Sequence, residues 1–379
     1  MKKTVGFLVA AMGAAALAAG AATRGPAGFT RVSFDEPRGE GNWRCAVTFG
    51  DAALATTNWV KAEGRRLMLD KVVTAPGEIV TRTFTVNTRN NLLPDGGRVR
   101  MGGGESRHER WDDRLTVDIL STNPAQPPPV VTPAPAETVT VFLAGDSTVC
   151  CYNTEPYGTW GQMLPAFFDE TVAVANHAEC GRSLASFKAE RRQEKVLAQA
   201  RPGDWLFIQF GHNDQKEKCA FDERMRRYAE RLAALIDAFR AKGGRVVLVS
   251  PMERRRFDEA GRPYHTLTEY DEAMARMAAE KNCPYINLNQ ASFTLYSTLG
   301  EEGSKALFGW RRNELDNTHH SVYGGYELAR AVVEGIRAQV PELAARLRPG
   351  IPAWDPAAPD PDPGIPRTGP LATAKPEEK

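Results

Sequence analysis

Cysteine is scarce in this chain: six in 379 residues are too few to build a fold on disulfides. An excess of one charge is missing as well. The 48 basic and 47 acidic side chains leave a formal charge of +1, which excludes binding of nucleic acid or another polyanion by bulk electrostatics. No Cys or His spacing of the metal-site kind occurs, so neither a metal nor another cofactor is expected. The Gly-x-Ser-x-Gly elbow of common hydrolases appears at no strand end. What remains is ordinary globular material. A hydrophobic fraction of 42% with 25% charged residues excludes a chain disordered throughout, and 33 Gly with 26 Pro imply many turns.

The two ends read as separate from the fold. Residues 1–23 have the layout of an export signal: Lys2 and Lys3, an uncharged Ala-rich core, then small residues around Ala19 to Ala22. The apolar run is too short to span a bilayer, and no Cys stands nearby to carry a lipid. A secreted or periplasmic protein, free of the membrane after signal removal, is expected. Export would permit disulfides, but Cys45, Cys150, Cys151, Cys180, Cys219 and Cys283 dictate no pairing; buried thiols and one bridge both fit. From 349 to 379, Pro alternates with Asp, Ala and Gly, which predicts a disordered tail.

Residues 121–137 are dense in proline and predict an extended linker between two folded regions. The first, 28–120, is written in short strands at 44–49, 65–69, 80–86 and 115–120, separated by Gly and Asp clusters. An all-β sandwich follows, with Trp43, Trp59 and Trp111 available either for its core or for stacking on sugar. The second region, 138–347, alternates apolar strands (139–144, 205–210, 245–250, 285–288) with helical stretches (224–242, 268–281, 323–340). That alternation predicts an α/β fold, a parallel sheet covered by helices on both faces. In such folds ligands bind past the carboxyl ends of the strands.

Four segments stand at such ends. Gly145-Asp146-Ser147-Thr148 presents a hydroxyl, although a Ser there also suits a helix cap. Gly181-Arg182-Ser183 offers a backbone N–H that no side chain obstructs. Gly211-His212-Asn213-Asp214 supplies an amide donor able to meet an oxyanion, though Asn-Asp is also common turn chemistry. Asp316-Asn317-Thr318-His319-His320 pairs a carboxylate with an imidazole, as a general base toward Ser requires. Singly these signals are weak; together, in this order on this architecture, they are strong.

Together these segments resemble the conserved blocks of the SGNH (GDSL-type) hydrolases, and more closely those of the rhamnogalacturonan acetylesterases. Trp160-Gly161-Gln162-Met163-Leu164-Pro165 and Tyr323-Gly324-Gly325-Tyr326-Glu327-Leu328-Ala329 are similar to that family too. The first region resembles, less specifically, a galactose-binding-like β-sandwich. The resemblance implies a three-layer, flavodoxin-like catalytic domain and a serine ester hydrolase with Ser147 as nucleophile, His319 as base and Asp316 as orienting acid. It implies an oxyanion hole from the Ser147 and Gly181 N–H groups and the Asn213 side chain. The Asp-x-x-His spacing selects His319 over His320, which is left as a substrate contact or a structural residue. His212 and Asp214 would hold the Asn213 loop.

An acetylated pectic polysaccharide is the substrate that the resemblance implies. Arg254, Arg255 and Arg256 follow the 245–250 strand, where they would meet uronate carboxylates or simply form a solvated loop. Two other readings stay open: an esterase for acetylated xylan or lipid, and a non-catalytic sugar-binding protein. A lipid esterase would want a broad apolar loop near the motifs, which this sequence lacks, and a binding module has no use for all five site residues.

Overall fold

The computed structural model describes residues 28–368 apart from 103, 104, 106–108, 124 and 312, plus two-residue strand fragments at Ala15–Ala16 and Thr23–Arg24. The rest of the expected export signal, and 369–379, lie outside the described residues.

The first region forms β1 (Thr30–Pro37), β2 (Gly41–Phe49), β3 (Thr56–Ala62), β4 (Arg66–Thr74), β5 (Val80–Thr88) and β6 (Arg114–Ser121). Strands β1, β6, β3 and β4 hydrogen-bond in that order in an antiparallel sheet. Along β2 the alternation is strict: Cys45, Val47 and Phe49 are buried while their neighbours are half-exposed. These residues pack with Phe34, Val60, Leu69, Phe84, Val117 and Ile119 in a core between two β layers.

The second layer is not the property of the first region. Strand β7 (Val130–Pro133), inside the proline-dense segment, pairs antiparallel with β2, which pairs with β5. β5 then pairs in parallel with β9 (Val172–Asn176) of the second region. One nine-stranded sheet therefore runs through both regions, and the segment expected as an extended linker carries a strand of it. The reason is local: Val130 and Val131 can pair because the prolines flank them rather than interrupt them.

The parallel part contains β8 (Val139–Gly145), β9, β10 (Trp205–Gln209), β11 (Arg245–Val249) and β12 (Tyr285–Ile286), in the spatial order β9-β8-β10-β11-β12. This is the doubly wound, flavodoxin-like order, whose switch point lies between β8 and β10. Both faces are buried. Val141 and Leu143 face a core with Phe207, Val247 and Leu328, while Phe142 and Ala144 face one with Leu206, Leu232, Phe239 and Met274. Helices on the two faces include α1 (Trp160–Met163), α2 (Leu184–Ala189), α3 (Arg192–Gln199), α4 (Phe221–Arg240), α5 (Thr268–Lys281), α6 (Leu288–Gly303) and α7 (Val322–Gln339). A hairpin, β13 (Phe308–Arg311) and β14 (Glu314–His320), leads into α7.

The expected disorder of the tail is not what residues 349–368 show. Trp354 is buried, and its Nε1 donates to Glu327 Oε2 at 2.9 Å. Ile365 is buried too, and Lys61 Nζ donates to the Pro366 carbonyl at 2.6 Å. Few apolar residues are present, but these two, backed by main-chain acceptors for Lys61, Arg330 and Arg337, offset the ordering cost.

Candidate active site

Strand β8 ends in a tight turn that presents Ser147. Gly145 is required there, because a Cβ would come within 2.6 Å of Val149 Cγ2 and 2.9 Å of the Gln209 carbonyl oxygen. Asp146 shapes the turn: its Oδ1 accepts from Thr148 N at 2.9 Å and Thr148 Oγ1 at 2.7 Å. Thr148 Oγ1 in turn accepts from Gln209 Nε2 at 2.6 Å, and Gln209 Oε1 accepts from Trp160 Nε1 at 2.8 Å. The Val149 carbonyl is held by Asn176 Nδ2 at 2.7 Å and Thr159 Oγ1 at 2.9 Å. Buried hydrogen bonds thus fix the Ser147 turn from three sides.

The hairpin brings the other partners. His319 Nε2 lies 2.9 Å from Ser147 Oγ, and His319 Nδ1 lies 2.7 Å from Asp316 Oδ2. Asp316 Oδ1 also accepts the backbone N–H groups of Thr318 (2.8 Å) and His319 (2.9 Å). Burial alone would raise the Asp316 pKa. The His319 hydrogen bond, the His319 charge and the two backbone donors outweigh it and hold the carboxyl at about 2. An ionised Asp316 keeps the proton of a neutral imidazole on Nδ1, which leaves Nε2 free to accept from the hydroxyl.

Gly181 and Asn213 flank this pair from the neighbouring strand ends. Gly181 has φ +76°, a left-handed conformation that glycine adopts without strain, and nothing stands within 4 Å of where its Cβ would be. Asn213 Nδ2 donates to the Arg182 carbonyl at 3.1 Å, which ties its loop to the Gly181 loop and leaves the second amide hydrogen uncommitted. Asp214 accepts from Leu184 N at 3.0 Å. Burial pushes the His212 imidazole well below the usual range, so it is neutral.

Two expected substrate contacts are placed elsewhere. His320 is buried, with Nε2 2.7 Å from Tyr296 OH, and burial holds its pKa down to about 3. As the strand neighbour of His319 it points to the opposite face. Arg255 is buried as well: its Nε donates to Ser304 Oγ at 3.1 Å, its Nη1 to Asn317 Oδ1 at 3.3 Å and its Nη2 to the Glu301 carbonyl. It fastens the hairpin loop and is not open to a ligand. Arg254 is half-buried with Nη2 3.4 Å from the His212 carbonyl, and Arg256 is exposed. Trp59 and Trp111 are core residues, and Trp43 is half-buried.

Sequence reasoning missed the residues by which the first region braces the site. Buried Arg65 donates from Nη1 to the Tyr152 and Thr154 carbonyls at 3.0 and 2.9 Å and pairs with Glu155 at 2.7 Å. The loop it holds carries Tyr152 and Tyr157, whose rings both meet the His319 ring edge-on at 6.2 Å. Arg110 pairs with Glu179 at 3.2 Å, two residues before Gly181. No motif marks either Arg, since both lie where the chain pattern reads only as strand and turn.

Comparison with known proteins places this constellation. Residues 143–319 match the GDSL-like Lipase/Acylhydrolase family. Over 209 residues the chain is 43% identical to the rhamnogalacturonan acetylesterase RhgT of Bacillus subtilis (strain 168), covering 52% of this chain and 89% of that protein. The chain belongs to the GDSL-like lipase/acylhydrolase family. As a member it is a carboxylic-ester hydrolase. This GDSL-family chain is also 34% identical over 200 residues to the probable rhamnogalacturonan acetylesterase YesY of the same organism, covering 52% of this chain and 92% of YesY. Among solved structures it is similar to protein YxiM from Bacillus subtilis, with 25% identity, TM-score 0.51, and coverage of 81% of this chain and 80% of that one.

Proposed function

We propose that this protein is an exported acetylesterase that removes acetyl groups from an acetylated pectic polysaccharide of the rhamnogalacturonan type. The reading rests chiefly on one observation: a Ser147–His319–Asp316 chain with links of 2.9 and 2.7 Å, in a sequence 43% identical to RhgT. Ser147 Oγ attacks the acetyl carbonyl as His319 Nε2 takes its proton. The Ser147 and Gly181 N–H groups and the uncommitted amide hydrogen of Asn213 receive the oxyanion. His319 returns the proton to the departing sugar hydroxyl, leaving an acetyl-enzyme. Water, activated by the same imidazole, then releases acetate. Arg254, whose Nη2 reaches the His212 carbonyl at 3.4 Å, and the exposed Arg256 meet uronate carboxylates along the polymer. The charged n-region and apolar core of 1–23 support export.

Acetate release from acetylated rhamnogalacturonan, acetylated xylan and long-chain acyl esters tests the proposal, with Ser147→Ala alongside. The pectic substrate is expected to be preferred, and the variant to lose about a thousand-fold or more in kcat. Undiminished activity in the variant would end the assignment of Ser147. A preference for long acyl chains or for xylan would end the pectic reading.

A further inference from the structure

Six thiols are present, and two of them meet beside the reacting groups. Cys150 Sγ and Cys180 Sγ are 3.3 Å apart. Cys150 is fully buried, three residues past Ser147 in the nucleophile turn, where its N–H donates to the Asp146 carbonyl at 3.0 Å. Cys180 is half-buried and immediately precedes Gly181. Its carbonyl accepts from Arg182 Nη1 at 2.7 Å, so its backbone is held while its side chain points at Cys150. Three of the remaining four thiols are engaged elsewhere. Cys151 accepts from Asn176 Nδ2 at 3.4 Å, Cys45 reaches the Trp43 carbonyl at 3.8 Å, and Cys283 accepts from Arg240 Nη2 at 3.2 Å.

We propose that Cys150 and Cys180 are an oxidisable pair that forms a disulfide on reaction with a small-molecule disulfide such as oxidised glutathione, stapling the Ser147 turn to the Gly181 loop. A disulfide needs the sulfurs about 2.0 Å apart, so the pair must close by roughly 1.3 Å. Rotation of the Cys180 side chain from its half-buried position supplies much of that movement. The chemistry balances in two exchanges. The Cys180 thiol first loses its proton to solvent; the thiolate then attacks the reagent, forms a mixed disulfide and releases one reagent thiolate. Cys150 then loses its proton, displaces the second reagent thiolate and forms the protein disulfide. Two cysteines are oxidised by two electrons, and one reagent disulfide is reduced to two thiols. Burial raises the Cys150 thiol well above its usual pKa, which makes the second exchange the slow one.

The bridge would close the segment 150–180. That segment contains Tyr152, whose ring meets the His319 ring edge-on at 6.2 Å. Its main effect is on the unfolded chain, whose freedom the cross-link restricts. Formation of the bond does not depend on the substrate proposed above.

The test uses the full chain, reduced and then incubated with oxidised glutathione, alkylated, and mapped by non-reducing peptide mass spectrometry with thiol titration in denaturant. A Cys150–Cys180 linked peptide, loss of two of the six thiols, and a Tm rise of about 3–6 °C reversed by dithiothreitol are expected. Cys219→Ser should keep that rise, and Cys180→Ser should abolish it. If Cys180→Ser does not fold, the reduced and oxidised parent proteins still decide the matter. Six titratable thiols after oxidation, a link to Cys151 instead, or an unchanged or lowered Tm would overturn the proposal.

Discussion

Asp214 follows Asn213 in the candidate site, and its ionisation works against the fold. It is 2% exposed, its Oδ1 accepts from Leu184 N at 3.0 Å, and its Oδ2 has no hydrogen-bond partner. Burial pushes its pKa up to about 7 from an ordinary 3.8. The folded state therefore holds this proton more tightly than the unfolded chain does. The contribution to stability is complete below the unfolded value and is lost as pH rises through about 7. Asp214→Asn keeps an acceptor for Leu184 N and cannot ionise. Measured by thermal unfolding, the variant should gain on the parent by a few degrees between pH 5 and pH 8. A Tm difference that does not change with pH would contradict this. Asp316 has the opposite sign: held at about 2, it stabilises the fold at neutral pH, and that contribution is lost only as pH falls toward 2.

At the scale of elements, three of the four site segments lie past the apolar strands β8, β9 and β10 and were readable there, whereas Asp316 and His319 stand within β14. Strands β8, β10 and β11 and helices α5 and α7 lie where the apolar pattern predicts them, since burial on both faces writes a continuous apolar run or a clear helical stripe. Strands β1 and β3 were not readable. Thr30–Pro37 includes Asp35 and Glu36, and Thr56–Ala62 includes Asn58 and Lys61; the last two are buried polar residues that rely on tertiary partners such as Ser121 and the Pro366 carbonyl. Arg255 was misread for the same reason, because a guanidinium looks like surface until its acceptors are known. Those acceptors join the end of α6 to Asn317, between Asp316 and His319. Removing the side chain severs three charge-assisted hydrogen bonds, worth about 1.5–3 kcal/mol each at most, and leaves Ser304 Oγ and the Glu301 carbonyl only their own 3.1 Å bond. Arg255→Ala should therefore lower Tm and reduce kcat about ten-fold by loosening the hairpin, with KM unchanged on neutral and uronate-containing esters alike. A KM increase confined to the uronate substrate, with kcat and Tm intact, would restore the binding role.

For the whole molecule, the division into two regions was legible in composition but their continuity was not. Proline density marks a boundary in the chain, whereas the β5–β9 pairing joins residues that lie far apart in sequence. Similarity to RhgT covers 52% of this chain and 89% of RhgT, so most of that relative is matched by about half of this protein. Here the first region has become part of the sheet. Arg66 Nη1 donates to the Val174 carbonyl at 2.6 Å and Arg89 Nη2 to the Asn176 carbonyl at 2.5 Å, so both guanidinium groups satisfy acceptors of β9. Trp59, Leu67 and Leu120 also pack into the core shared with α7, and Tyr326 OH donates to Asp70 Oδ2 at 2.8 Å. Deleting 1–137 would remove Arg65 and Arg110 from the active-site loops, bare the edge of β9 and expose the apolar face beneath β3 and β4. An uncovered parallel edge strand is a template for association with other chains. The truncated chain is expected to aggregate or to unfold at least 10 °C below the parent. Where soluble, it should lose activity through disorder of the Tyr152 and Gly181 loops. Light scattering, thermal unfolding and kinetics on a small acetyl ester would show this. A monomeric 138–379 fragment with the parent's Tm and kcat would mean that the shared sheet adds nothing to the site it borders.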